Sequence, residues 1–205
     1  MDTLIFALVV LLFSVIIHEI AHGSAALALG DTTARDAGRL SLNPLKHLDP
    51  VGSILLPLFL ILITQGQGPI FGWAKPVPVN YYNLRDKKWG TLKVSIAGPA
   101  TNFLIAIFFC ILIRFLNPPL SLLIPFNFIA IYNFILGIFN LIPLYPLDGS
   151  HILFAILPEG CTKIKIFFQQ YCLLILILVV TFGLDWILTA AVFLYQIISG
   201  HPIIM

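Results

Sequence analysis

LIFALVVLLFSVIIHEIAHGSAALAL, residues Leu4–Leu29, is an apolar run interrupted beyond its midpoint by His18, Glu19 and His22. At about 1.5 Å per residue it is about 39 Å long as a helix, enough to cross a hydrocarbon core of roughly 30 Å. His18 then lies well inside from either end. Ionisable groups at a helix centre cost about 2.5–3.5 kcal/mol each on insertion scales, so three of them together demand a reason.

The rest of the chain agrees with a lipid setting. Of its 205 residues 60% are hydrophobic and only 10% charged, and the mean hydropathy is +1.03, which leaves too little polar surface for a soluble globule. The bilayer is therefore the expected partner. A net charge of +2, with the basic residues in loops, gives no stripe for nucleic acid, which is excluded as a partner. Cys110, Cys161 and Cys172 lack C-x-x-C spacing, so neither a disulfide framework nor a thiolate metal site is expected. Asp2 stands where a signal peptide would be basic, and the apolar run is too long for one, so the first span is expected to stay in the mature protein.

The pattern predicts an all-α polytopic membrane protein, one domain over 1–205, with five or six transmembrane helices. A first helix spans about 4–29. The apolar run 51–64 carries Pro57 and is only roughly 21–24 Å long as a helix, so it reads as a thin span or a re-entrant segment. Further helices are expected at about 91–116, 126–142, 163–184 and 186–199, the last two as a hairpin around Gly183 and Asp185. Between the first helices, Trp73-Ala74-Lys75-Pro76-Val77-Pro78-Val79-Asn80 reads as extended, because proline forbids helix there. Two prolines and a glycine break the chain between Asn140 and Gly149. Basic residues flank the 51–64 run and are absent before the first helix, which places the N-terminus outside and favours re-entry of 51–64.

Two histidines four apart on a helix lie one turn above the other, so both imidazoles reach one ion. Neutral imidazole suits zinc, and a hydrolytic zinc keeps three protein ligands and one water. His18 and His22 are the first two candidate ligands; Glu19 is the residue that takes a proton from that water. A third ligand must come from another segment. Asp148 is the strongest candidate, since irregular backbone at membrane depth is tolerated only where it is buried or lines a wet cavity. The bland reading of Asp148 is a turn former ahead of Gly149.

His18-Glu19-x-x-His22 and Asn140-x-x-Pro143-x-x-Pro146-Leu147-Asp148-Gly149 together resemble the two motifs of the site-2 proteases, the family of intramembrane zinc metalloproteases. Gly98-Pro99-x-x-Asn102 resembles that family's turn on the intervening helix. Gly38–Pro44 and Gly72–Asn80 resemble its small prokaryotic members without PDZ or CBS domains. The likeness covers about 5–155, leaving a C-terminal hairpin of about 163–199. It implies one zinc held by His18, His22 and Asp148, Glu19 as general base, and Asn140 and Asn102 near the substrate or oxyanion. It also implies hydrolysis within a transmembrane segment of a membrane-protein substrate, a multi-pass place in the prokaryotic plasma membrane, and regulatory membrane proteins as further partners.

Two stretches, 38–43 and 75–80, are candidate edges for capturing an unwound substrate strand. His47 and His151 read as loop or orienting residues rather than ligands, and His201 as solvated; Trp73, Trp89 and Trp186 read as interfacial anchors. The alternatives are a non-proteolytic membrane-embedded binding protein, or a metal-ion transporter. Five histidines are too few for a membrane di-iron site, and no duplicated halves point to transport.

Overall fold

The computed structural model describes residues 2–65, 74–158 and 161–203. Gly72 and Trp73 lie outside them. The described residues form helices and no strands: α1 (Asp2–Ala28), α2 (Thr33–Asp36), α3 (Leu56–Thr64), α4 (Lys87–Leu116), α5 (Leu120–Asn140), α6 (Asp148–Ile156), α7 (Thr162–Gln170), α8 (Cys172–Phe182) and α9 (Leu184–Ser199).

Against the five or six spans expected, three helices among the described residues are long and apolar enough to cross a membrane: Ile5–Ala28 of α1, α4 and α5. A fourth is reached if Leu174–Phe182 and Leu184–Ser199, bent by 57°, make one span. The difference has local causes. The 51–64 run opens as a wide π-type turn, Pro50–Leu55, capped by the Asp49 carboxylate on the N–H groups of Val51 and Gly52, which leaves only nine residues for α3. The helix expected over 163–184 is divided at Tyr171.

Two helix starts also move. α4 begins at Lys87 rather than near 91 because Asp86 caps it, its Oδ1 accepting from the Trp89 N–H at 2.9 Å. α5 begins at Leu120 and carries Pro125 inside it, where the sequence suggested a start only after that proline. α6 has no counterpart in the expected helices.

Packing follows two stripes of period four. On α1, Val10, Ser14, His18, His22 and Ala26 are all buried, and on α4 the same holds for Val94, Gly98, Asn102, Ala106 and Cys110. Residues i and i+4 share a face, so these stripes are the surfaces along which α1 and α4 meet each other and α5, with α4 also against α9. The apolar core lies among α4, α5 and α9, built from Ala106, Cys110, Ile113, Ala130, Ile131, Phe134, Ala191 and Tyr195. Tyr195 donates its hydroxyl to Asn127 Oδ1 inside that core, and Arg114 reaches the carbonyls at the end of α9. The outside of the bundle is apolar as well, with Leu8, Leu104, Phe108, Phe115, Phe193, Trp89 and Trp186 exposed, which suits lipid and would aggregate in water. The protein is a membrane protein.

Beyond the end of α1, Asp31 is fully buried and accepts from the Thr33 N–H and hydroxyl, the Asn83 side-chain amide and the Asn80 N–H. Burial pushes its carboxyl up, but the hydrogen bonds from Thr33, Asn83 and Asn80 outweigh that and hold it below the usual carboxylate range. A carboxyl whose pKa is lower in the folded state adds stability above its unfolded pKa and loses it as pH falls through the folded value. Asp31→Asn is thus expected to cost roughly 2 kcal/mol at neutral pH and to flatten the acid side of a thermal-stability profile in detergent. An unchanged acid limb would remove Asp31 as the tie between α1 and the 80–83 turn.

Candidate metal centre

The stripe on α1 puts His18 and His22 against α4, and each ring is held by its Nδ1. His22 Nδ1 lies 2.7 Å from the Val94 carbonyl, which can only accept, so that nitrogen carries the hydrogen. His18 Nδ1 donates to Asn102 Oδ1 at 2.6 Å. Both rings, when neutral, therefore turn the lone pair of Nε2 inward. The two Nε2 atoms are 3.0 Å apart, and Asp148 Oδ2 stands 3.0 Å from that of His18 and 3.2 Å from that of His22.

Three electron-pair donors facing one point repel each other unless a cation lies between them. Ligand atoms 2.0–2.1 Å from a tetrahedral zinc stand about 3.3 Å apart, close to the spacing seen. Among the described residues, His18, His22 and Asp148 are the group whose ligand atoms, all within 4.8 Å of one another, could hold a metal. The donor set fits zinc.

Two glycines shape this space. A Cβ built on Gly98 would come within 2.3 Å of His22 Nε2 and 2.6 Å of His18 Nε2, so α4 can approach the rings only without a side chain there. At Gly149 a Cβ would lie 2.3 Å from the Ile142 carbonyl oxygen and 2.4 Å from that of Leu141. That approach lets Asp148 open α6 directly beneath the end of α5, with its carboxylate at a helix N-terminus. Asp148 thus heads a helix, where the sequence read it as part of an irregular loop.

Glu19 faces a different neighbour. Its Oε2 accepts from the Val77 N–H at 2.7 Å. Val77 sits between Pro76 and Pro78, neither of which has an N–H, and its side chain is buried beside Gly23. The segment is pinned along its length: Arg39 donates to the carbonyls of Lys75 and Pro76, the Lys75 N–H reaches the His47 carbonyl, and the Asn80 N–H reaches Asp31. The stretch expected as a candidate edge at 75–80 runs as a strap whose N–H donors at 75, 77 and 80 are spent inside the protein. The 38–43 stretch forms no strand and contributes Arg39 to this strap.

The asparagines fall in different places. Asn102, expected beside the substrate or oxyanion, is fully buried behind His18, on the side away from the converging Nε2 atoms. Asn140 ends α5, half-buried, with one amide hydrogen given to the Leu136 carbonyl at 3.0 Å. His47 donates from Nε2 to the Ser41 carbonyl, and His151 stacks on Tyr81 with ring centroids 5.6 Å apart; neither joins the donor cluster. Ser14, Asn133 and the bond from Val77 to Glu19 escaped the sequence reading. For Asn133 a signal was present, an amide in an apolar span.

Residues 118–182 match the sequence pattern of Peptidase family M50. A protein named "Putative zinc metalloprotease YwhC", of Bacillus subtilis (strain 168), is 38% identical over 164 residues, covering 76% of this chain and 70% of that protein. A protein named "Putative zinc metalloprotease Rip2", of Mycolicibacterium smegmatis, is 31% identical over 140 residues, 67% of this chain and 52% of that protein, so the match spans about half of Rip2. Zinc metalloprotease MJ0392 of Methanocaldococcus jannaschii is 35% identical over 91 residues, 43% of this chain and 27% of that protein. No solved structure matches the chain. Identity of 38% across more than two thirds of both sequences, joined to the family pattern over 118–182, makes this chain a member of peptidase family M50, the site-2 protease family of membrane zinc metalloendopeptidases.

Proposed function

We propose that the chain hydrolyses peptide bonds inside the transmembrane segments of other membrane proteins, with zinc held by His18, His22 and Asp148. The observation that carries this reading is the convergence of two Nε2 lone pairs and a carboxylate within 3.2 Å on helices apolar enough to lie in a bilayer. A bound zinc would supply a Lewis acid for the scissile carbonyl and a water acidified towards a pKa of about 7. Glu19 takes the proton from the attacking water and returns it to the leaving amine, held for the task by the Val77 N–H. Asn140 offers its second amide hydrogen to the developing oxyanion. The proline-rich break between α5 and α6 presents Asp148 to the histidines.

The topology that goes with this is a multi-pass plasma-membrane protein with its N-terminus outside. α1, α4, α5 and the bent α8–α9 pair cross, and α3 re-enters, which keeps Arg35, Arg39, Lys46, Lys75, Arg85, Lys87 and Lys88 on one side. The hydrogen bonds from Arg114, at the outer end of α4, to the end of α9 support a final span that exits there. Its partners are a transmembrane substrate, the bilayer, and regulatory membrane proteins.

The test is to co-reconstitute the full chain with a single-span substrate and map the products by mass spectrometry. New termini within the apolar segment, lost on chelation and regained with zinc, are expected. Cuts confined to the soluble flanks would overturn the reading.

A further inference from the structure

We propose that Asn133 on α5, together with Ser14 on α1, is a positioning residue that sets the tautomer of His18 through Asn102; the proposal rests on the reading that His18 is a zinc ligand. The hydrogen bonds run in one direction, and that direction is forced at its start. The Ile129 carbonyl can only accept, so the Asn133 amide must turn its Nδ2 towards it, at 2.8 Å. The other Nδ2 hydrogen goes to Ser14 Oγ at 2.9 Å. Asn133 Oδ1 is thereby aimed at Asn102 and accepts from its Nδ2 at 2.8 Å, while the second Asn102 hydrogen points to the Ser14 carbonyl at 3.4 Å. Only Oδ1 of Asn102 is left for His18, and it accepts from Nδ1 at 2.6 Å.

The consequence reaches the metal. With Nδ1 carrying the hydrogen, Nε2 keeps its lone pair and faces Asp148 and His22. Were Asn102 to flip, its amide hydrogens would meet Nδ1 and favour the tautomer with hydrogen on Nε2, which cannot bind a cation. Asn102 and Asn133 are both fully buried and Ser14 is 4% exposed, so the bonds of the relay are shielded from bulk water. The chain of bonds takes one member from each of α1, α4 and α5. Metal-bound histidines commonly have the other ring nitrogen held by a carboxylate or carbonyl; here an amide does this, and an amide needs its own orientation fixed.

A matched control lies on the same helix. Asn127 is as buried as Asn133, and it accepts from Tyr195 in the core among α4, α5 and α9.

The experiment measures zinc affinity of the full chain in detergent by chelator competition, for Asn133→Leu, Ser14→Ala, Asn127→Leu and His18→Ala, alongside thermal stability. In the metal-free protein with 15N-labelled histidine, NMR reads the tautomer. Asn133→Leu is expected to weaken zinc binding about 10–100-fold and to add the Nε2–H tautomer of His18. Ser14→Ala, the milder change, should shift both in the same direction. Asn127→Leu should lower the melting temperature with zinc affinity unchanged. If Asn133→Leu and Ser14→Ala bind zinc within about twofold of the parent and leave the tautomer alone while His18→Ala loses zinc, the relay is wrong and the ligand assignment stands. Should Asn133→Leu fail to fold, Asn133→Ala, which also removes the acceptor for Asn102, takes its place in the same comparison. Zinc retained by His18→Ala would instead overturn the ligand assignment beneath the proposal.

Discussion

Gly98→Ala is expected to purify as a folded protein that holds almost no zinc and has no measurable peptidase activity. The added methyl carbon would stand 2.3 Å from His22 Nε2 and 2.6 Å from both Nε2 and Cε1 of His18. Non-bonded carbon and nitrogen need more than about 3 Å, so one or both rings must move by several tenths of an ångström. Neither ring can move freely, because each Nδ1 is bonded to α4, and metal–ligand distances tolerate only about 0.2 Å. Loss of zinc affinity should therefore be at least about 100-fold, beyond what removal of an orienting partner costs. Gly137→Ala separates this from a general tightening of the bundle: the atoms nearest its methyl would all belong to the Phe103 ring, the first at 2.9 Å, and none to His18, His22 or Asp148. That variant should melt earlier yet bind zinc normally. Full zinc occupancy in Gly98→Ala would mean that α4 does not press on the histidines, and the site geometry would have to be redrawn.

How much of this could be read from residues alone varies with what each residue depends on. His18, Glu19 and His22 were legible because a helix periodicity and the cost of burying charge both act locally, within one apolar run. Asp148 was legible as a candidate partner from its broken, apolar surroundings, but its position at the head of α6 was not. That position depends on the approach of Gly149 to the 141–142 carbonyls, a contact between segments that no periodicity encodes. The span count differs for the same kind of reason: hydropathy sees the 51–64 and 163–184 runs as apolar but not the wide turn at Pro50–Leu55 or the division at Tyr171.

The strap shows where local reading gives half an answer. Pro76 and Pro78 correctly exclude helix, and an extended segment with free edges was the natural expectation. The same two prolines leave Val77 as the one N–H donor between 76 and 78, and the fold aims it at Glu19. The Val77 side chain, buried beside Gly23, holds that donor in place; a Cβ on Gly23 would come within 2.8 Å of it. Asn102 differs again. Its motif was visible, but not that its amide hydrogens go to Asn133 and the Ser14 carbonyl on two other helices, which leaves Oδ1 for His18.

Glu19→Gln is expected to keep one zinc per chain and the parent's melting temperature while peptide cleavage falls on the order of 10²–10⁴-fold, the range ascribed to a positioned acid–base group. The amide matches the carboxylate in shape, and its oxygen can still accept from Val77, so the strap should hold its place. What is lost is proton transfer. A second variant weighs orientation against chemistry: Val77→Pro removes the N–H that holds Oε2 but leaves the carboxylate and all three candidate ligands intact. A hydrogen bond to a charged group is worth about 1.5–3 kcal/mol, so a fall in kcat of roughly 10- to 150-fold at most is expected, with zinc content unchanged. The ordering is the decisive result, with Glu19→Gln far below Val77→Pro and both fully metallated. Cleavage by Glu19→Gln at the parent rate would remove Glu19 as the base. Equal losses in the two variants would mean that Val77 contributes all of what Glu19 does, which orientation alone cannot explain.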